Sequence, residues 1–410
     1  MDERYPVLVE SVSLSGNQII ISKKTVQVME SDMNENSKNL AIIGASYLQL
    51  PLIRKAREMG YTAHVFAWKA NDPGETEADY FYPISIVEKE KILEECRKIG
   101  ICGICSIASD LAMLTVNYVA EKLGLPANSA ECTKISTNKY EMRQAFARHN
   151  VPSCQSQLIA DEEDLRQILE EDLSFPKIVK PTDRSGSRGI FLVHTAQELS
   201  DAVQEAIRCS FEKKVLVEDY IEGEEYSVEY ISQNGKHHLL AVTQKLTTGA
   251  PHFIETGHNE PSGLDERMIG RVSEVIEQAL DALQITTGAS HSEIRIDEQE
   301  NIRIIEIGGR MGGDCIGSHL VEHSTGYDYV RMVIECAVGE PIDFERKSSV
   351  SDAHVRFIFT EEDWQQYQEL SEKLPADRVE TVFLNLDDLG KATDSSNRAG
   401  CYLYYDSESD

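Results

Sequence analysis

Two glutamates and an arginine carry the most legible chemistry in this sequence. Glu293 lies in the β-type run SEIRI (292–296) and Glu306 in NIRIIEI (301–307); the polar turn DEQE joins them, and Arg310 stands four residues past Glu306. A hairpin centred between Gln299 and Glu300 sets the two carboxylates directly opposite each other on one face. Like charges opposed across strands destabilise a sheet, so the pattern predicts a cation between them. Hard oxygen ligands suit Mg²⁺, with Mn²⁺ as the alternative. Arg310 would stand beside the metal, placed to bind an anionic substrate or a developing oxyanion. The chemistry these residues fit is chemistry on a phosphate.

A second cluster lies upstream. KIVKPTDRSGSRGIFLV places a Gly-Ser turn between two strands, with Lys180 ending the first and Arg184 and Arg188 inside the turn. Gly186 and Gly189 permit positive φ, so backbone N–H groups along Ser185, Gly186, Ser187 and Gly189 can converge on a phosphate. An ordinary hairpin loop would look the same from this motif alone. Thirty-eight residues after Lys180, VLVEDYIEGEEYSVE offers a strand edge from Glu218 to Ile221 whose backbone could pair with an adenine, and Glu225 to grip ribose hydroxyls. There is no GxxxxGK[ST], which excludes a P-loop as the source of nucleotide binding.

Composition bounds the setting. A chain of 410 residues with 41% hydrophobic and 27% charged content reads as globular, with room for two or three domains. No run approaches a membrane span, and MDERYPVLVE lacks the basic start and long apolar stretch of a secretory signal, so the reading is cytoplasmic. Nine cysteines, an odd number scattered along the chain, fit a reduced compartment. Cys102 and Cys105 form a CxxC, but within the apolar run GICGICSIAS they read as a buried strand. The net charge of −30 argues against nucleic acid and anionic membranes as partners. It also makes locally clustered Lys and Arg more informative.

The elements that must position these residues follow from periodicity. Residues 1–37 read as a hairpin around Ser15-Gly16-Asn17 and a polar linker. From 38, strands NLAIIGAS, YTAHVFAW and GICGICSIA alternate with helices, the pattern of a parallel sheet. Gly44 sits at the first strand-to-helix turn, but a dinucleotide fingerprint needs three glycines and a following acid, and both are missing. After Pro126 the texture becomes α+β. A helix from Leu264 to Leu283 follows the irregular stretch TTGAPHFIETGHNEPSG; Ser262 and Asp265 have capping-box spacing, and Val272, Val275, Ile276, Ala279 and Leu283 line one face. From about 345, three strands flank a helix around Trp364.

In order and spacing these motifs resemble those of the ATP-grasp enzymes, and most of all the carboxylate–amine ligases that join amino acids. The resemblance spans roughly residues 38–345 and extends to the tail. With the hairpin extension read at 1–37, it implies a multidomain α/β and α+β chain: an N-terminal open parallel-sheet domain (38–125), an ATP-grasp domain (126–345) with a mobile lid at about 145–220, and a small C-terminal subdomain (346–410). It further implies that Lys139 and Lys180 bind ATP phosphates or adenine, that 185–189 is the Gly-rich flap, and that Glu218, Asp219, Tyr220 and Ile221 form the adenine hinge. By the same resemblance Glu225 meets the ribose, Glu293 and Glu306 hold Mg²⁺, and Arg310 stabilises the acyl phosphate and the tetrahedral species. One departure stands out. The family commonly carries Asn two residues after the second metal glutamate, where this chain has Gly308. Either water or substrate fills that ligand position, or one metal binds tightly.

The stretch 251–258, rich in polar and aromatic groups, reads as too irregular for a core element. Its His258 is placed by the resemblance against the reacting carboxylate, with Lys245 a weaker candidate near the transferred phosphate. His319 and His323 are four apart but lack the HExxH pattern and a third ligand. The implied activity is ATP-dependent joining of a small-molecule carboxylate to an amine through an acyl phosphate, in a chain whose family allows a homodimer. The alternatives are a carboxyphosphate-forming relative of biotin carboxylase or carbamoyl-phosphate synthase, and an ATP-binding regulator without catalysis.

Overall fold

The computed structural model describes residues 9–15, 18–23, 38–184, 186, 188–250, 254–346, 350–391 and 398–406. The chain divides into two compact units, Met1–Lys38 and Asn39–Asp410. In the first, β1 (Val9–Ser15) pairs antiparallel with β2 (Gln18–Lys23), closing at Ser15 opposite Gln18. The expected turn residues Gly16 and Asn17 and nearly all of the polar linker lie outside the described residues.

In the second unit the strand and helix alternation gives the parallel sheet expected of it. β3 (Asn39–Ile43), β4 (Thr62–Ala67), β5 (Tyr80–Pro83) and β6 (Gly103–Cys105) pair in the order β5-β4-β3-β6, every pairing parallel. β3 and β4 are covered on both faces, which is why they read as nearly continuous apolar runs. Cys105 is buried in β6 and Cys102 is half-buried just before it. β6 ends one turn before the helix Asp110–Leu123, whose N-cap Ser109 accepts the Ala112 N–H at 3.3 Å. A helix at Ala130–Thr137, rich in poor helix formers, was not evident from periodicity. Ser129 caps its start, and Asn138 at its end caps the next helix, Lys139–Arg148.

A second sheet comprises β7 (Ser156–Ile159), β8 (Lys177–Pro181), β9 (Phe191–Val193) and β10 (Val215–Asp219), in the order β7-β10-β8-β9. β10 is therefore an interior strand, hydrogen-bonded on both sides, and not the strand edge expected at Glu218 and Asp219. The Asp219 N–H donates to Gln155 O at 3.1 Å and the Tyr220 N–H to Pro176 O at 3.4 Å.

The remaining strands are β11 (Glu224–Gln233), β12 (Lys236–Thr247), β13 (Glu255–Glu260), β14 (Gly288–Ile296), β15 (Ile302–Gly308), β16 (Ala353–Ile358), β17 (Val379–Leu384) and β18 (Gly400–Tyr405). They form one antiparallel sheet, ordered β15-β14-β11-β12-β13-β16-β18-β17. Side chains alternate across it. On one face Tyr226, Val228, Tyr230, Ile294, Ile296 and Ile304 pack against Val272, Ile276 and Ala279 of the helix Glu266–Ala282. Each such buried side chain contributes about 1.5–3 kcal/mol, enough to fix the register. The opposite face is then free to hold Glu225, Glu229, His291, Glu293 and Arg295.

Two local expectations differ from the structure. The helix Glu266–Ala282 is capped by Asp265, whose Oδ1 accepts the Met268 N–H at 2.7 Å, so Ser262 and Asp265 do not form a capping box. Residues 255–260, read as part of an irregular loop, are strand β13, held between β12 and β16. Pro251, His252 and Phe253 lie outside the described residues. Among the described residues no helix is long and apolar enough to cross a membrane.

β6 approaches the helix Tyr329–Val338 closely at Gly103, where an added Cβ would stand 2.7 Å from Val338 Cγ1 and 2.9 Å from Ala337 O. Because one neighbour is backbone, the contact cannot be relieved by a side-chain rotation. Gly103→Ala is expected to cost about 1–3 kcal/mol, read as a lower midpoint in urea denaturation.

Candidate active site

The placement of Glu306 depends on a bulge. From the turn, Ile296 pairs with Ile302 and Ile294 with Ile304, so the hairpin is centred on Gln299 and not between Gln299 and Glu300. In that register Glu293 would face Ile305, and Glu306 would point to the other side of the sheet. Ile305 is an extra residue in β15, and beyond it Glu293 stands directly opposite Glu306. The bulge is held by Arg143, which donates to Ile305 O at 2.5 Å.

Both carboxylates are 27% exposed, toward a cavity of about 810 Å³, within the size range of small-molecule sites. Each is neutralised by a lysine: Lys139 Nζ is 2.7 Å from Glu306 and Lys245 Nζ is 3.1 Å from Glu293. Lys245 also reaches Glu225 at 2.8 Å and Glu255 at 2.9 Å, which places one ammonium among three carboxylates. Burial opposes its charge, yet those carboxylates hold it protonated well above the ordinary lysine range. Behind Glu293, His291 is paired with the fully buried Glu229. Burial again works against the imidazolium, but Glu229 and Glu293 outweigh it and raise His291 to about 9. Glu229 also accepts the Gly312 N–H at 3.0 Å, so the turn after Arg310 is tied to the sheet.

At another wall Glu218 is 3% exposed and lies between Lys180, at 2.6 Å, and Arg143, at 2.8 Å. Burial would push its carboxyl up; Arg143 and Lys180 prevail and hold it at about 2. The side chain of the expected adenine hinge is thus a buried anchor. Beyond it Arg295 donates to Ile221 O at 2.6 Å and to Glu225 at 3.0 Å, and its guanidinium lies 5.1 Å from the Tyr220 ring.

Next to Lys245 lies a third group. Glu255, His258 and Asp314 bring one ligand atom each within 4.8 Å of one another. Arg398 binds Asp314 at 2.9 Å and Glu255 at 3.2 Å and stacks on Phe357 at 3.6 Å. His258 is fully buried, and among the described residues neither ring nitrogen has a hydrogen-bond partner. Burial depresses it to about 3, so the ring is neutral and can accept. Burial also lifts Asp314 to about 7 against the pull of Arg398. Asp314 and Cys315 have φ of +50° and +65°, a left-handed pair that turns the carboxylate into the cavity.

The cavity therefore brings together Lys139, Lys180, Gly186, Glu218, Asp219, Tyr220, Ile221, Glu225, Lys245, His258, Glu293, Glu306 and Arg310. Gly189 does not line it; its φ of +74° turns the chain back, and a Cβ there would meet Cys209 at 3.0 Å. Ser185 and Ser187 lie outside the described residues. Residues 173–318 match the family model of the ATP-grasp domain. This chain carries an ATP-grasp domain. It is 27% identical over 269 residues to the alanine–anticapsin ligase of Bacillus subtilis, covering 58% of this chain and 56% of that protein. To the D-alanine–D-alanine ligase of Pseudomonas putida it is 26% identical over 227 residues, 52% of this chain and 68% of that protein. The chain thus spans little more than half the length of the first of these. The L-amino acid ligase from Bacillus licheniformis superposes with a TM-score of 0.73 at 22% identity, over 90% of this chain and 93% of that one. The ATP-grasp fold with a parallel N-terminal sheet, expected from the motifs, is the fold observed.

Several residues of this ATP-grasp cavity escaped the motifs: Asp110, Arg143, Glu255, Arg295, Asp314 and Arg398. Glu255 alone had a local signal, three residues before His258. The others act through partners far away in sequence. The Glu218 anchor has a measurable consequence. Its folded pKa lies below the ordinary value of about 4.3, so its stabilisation is complete above that value and is lost as pH falls toward 2. Glu218→Ala, which strands two buried cations, should cost about 3–5 kcal/mol at pH 7, and the deficit relative to wild type should shrink in acid denaturation series approaching pH 2.

Proposed function

We propose that this protein is an ATP-dependent carboxylate–amine ligase that joins an amino acid to another amino acid or amine through an acyl phosphate, releasing ADP and phosphate. One observation carries the reading: Lys245 joins two ends of a single cavity, one with opposed carboxylates and clustered cations, the other with three converging acceptors. An ammonium has three donors. Glu255, Asp314 and neutral His258 offer it three acceptors, and a monovalent cation suits a place already balanced by Lys245 and Arg398. The amino acid would lie with its ammonium there and its carboxylate toward Glu293, Glu306 and Arg310.

Glu293 and Glu306, opposed and facing the cavity, fit a hard divalent cation. Mg²⁺ bound by them would neutralise phosphate oxygens in the manner general to phosphoryl transfer. Lys139, no longer needed by Glu306, would turn to phosphate oxygens, Lys245 would reach them while still paired with Glu225 and Glu255, and Lys180 and Arg188 would line the nucleotide end. The substrate carboxylate attacks the γ-phosphorus and ADP leaves. The amine then attacks the acyl carbon, phosphate departs with the bonding pair, and the departing phosphate takes the proton that the amine nitrogen gives up. Arg310 would steady the oxyanion, and the turn between β8 and β9 would keep water from the acyl phosphate.

The test is ADP release over pairs of amino acids, with the product identified by mass. Glu306→Gln should keep the fold, judged by circular dichroism, and lower amine-dependent ADP release at least about 100-fold; unimpaired turnover would remove the metal assignment. Glu255→Gln should raise the KM for the amino acid that is phosphorylated by about 10- to 100-fold, the loss of one charge-assisted hydrogen bond, with ATP binding unchanged.

A further inference from the structure

Arg310 does not stand alone beside the glutamates. Its Nε donates to Asp110 Oδ1 at 2.9 Å, its Nη2 to Asp110 Oδ2 at 3.1 Å, and its Nη1 to Met311 O at 3.2 Å. Asp110 is the first residue of the helix that follows β6, two hundred positions earlier in the chain. The segment is clamped in place: the Ala108 N–H donates to Met311 O at 3.2 Å, with Ala108 at φ +60°, a conformation non-glycine residues rarely adopt. Gly308 completes the arrangement. A Cβ on it would stand 2.6 Å from Asp110 Oδ1 and 3.2 Å from Arg310 Nε, so any side chain at 308 would displace the carboxylate.

We propose that Asp110 is a positioning residue for Arg310, and that glycine at 308 is the residue that admits it. The inference rests on the ligase reading above. A guanidinium has five N–H donors. Asp110 takes two from one edge and Met311 O takes a third, which leaves one on each terminal nitrogen. Asp110 thereby fixes the plane of the fork, and the remaining pair forms the edge offered to an anion in the cavity that both residues line. The carboxylate lowers the net charge on Arg310, so it does not serve to attract the anion. Its effect is on orientation, where a shift of about 1 Å costs on the order of 100-fold in rate.

The experiment is a double-mutant cycle on the full chain with kcat, KM and binding of inorganic phosphate to the enzyme–MgADP complex measured for each variant. Asp110→Asn and Gly308→Ala should each lower kcat about 10- to 100-fold, and the double variant should be no slower than Asp110→Asn alone, because both changes break one contact. Phosphate should bind Asp110→Asn at least as tightly as wild type, a split that general damage to the fold would not give. Additive losses, weakened phosphate binding in Asp110→Asn, or a kcat within about twofold of wild type would overturn the proposal. If the wild type itself releases no ADP with any pair, the ligase reading fails separately. The contact is then judged by the Arg310 Nε–H resonance in nitrogen-labelled protein, assigned through Arg310→Lys. It must move in both single variants, and an unmoved resonance overturns the proposal.

Discussion

Two carboxylates face each other across neighbouring strands, and much of the cavity is organised around the cost of that arrangement. A sheet with opposed glutamates needs positive charge between or beside them. Lys139 and Lys245 supply it, one from a helix and one from the same sheet. Lys139 also donates to Arg184 O at 2.7 Å, so the charge that quiets Glu306 tethers the start of the turn after β8. Lys245 links Glu293 to Glu225 and Glu255. Repulsion at one point in the sheet thus recruits groups from several elements and sets their distances.

The same logic runs through the rest of the site. A chain with a net charge of −30 gathers Lys139, Arg143, Lys180, Lys245, Arg295, Arg310 and Arg398 around one cavity, each of them against at least one carboxylate. Pairing of this kind lets cations stay buried without neutralising themselves, because the desolvation cost of each is offset by its partner. It also means that at these seven residues an anionic ligand does not meet bare positive charge. It exchanges with carboxylates already present, which favours ligands that bring their own counter-cation.

Much of this was legible in the sequence, and the limits have physical causes. Strand and helix periodicity gave the parallel sheet and the SEIRI and NIRIIEI hairpin, because burial on one face imposes a local period. The opposed glutamates were also legible, although for an incomplete reason: the turn is centred half a residue earlier than expected, and the bulge at Ile305 restores the pairing. A bulge held by Arg143 leaves no mark in the strand that contains it. In sequence His258 looks like a loop residue because β13 has polar residues at most positions and gains its order from β16, almost a hundred residues later. Asp110, Asp314 and Arg398 are invisible for a related reason, since each matters through partners brought near by topology.

The order of the large sheet carries a further consequence. β13 lies between β12, its neighbour in sequence, and β16, while β16 is completed by β18 near residue 405. During synthesis the wall that carries Glu293 and Glu306 can be assembled when β15 emerges, but His258 and Glu255 wait for a strand made about a hundred residues later, and Glu255 waits further for Arg398. Pairings so distant are slow to close because loop entropy must be overcome first. A nascent chain would therefore pass through a stage in which one half of the pocket is formed and the other is open to solvent, with unpaired strand edges as the natural target for holding by a chaperone.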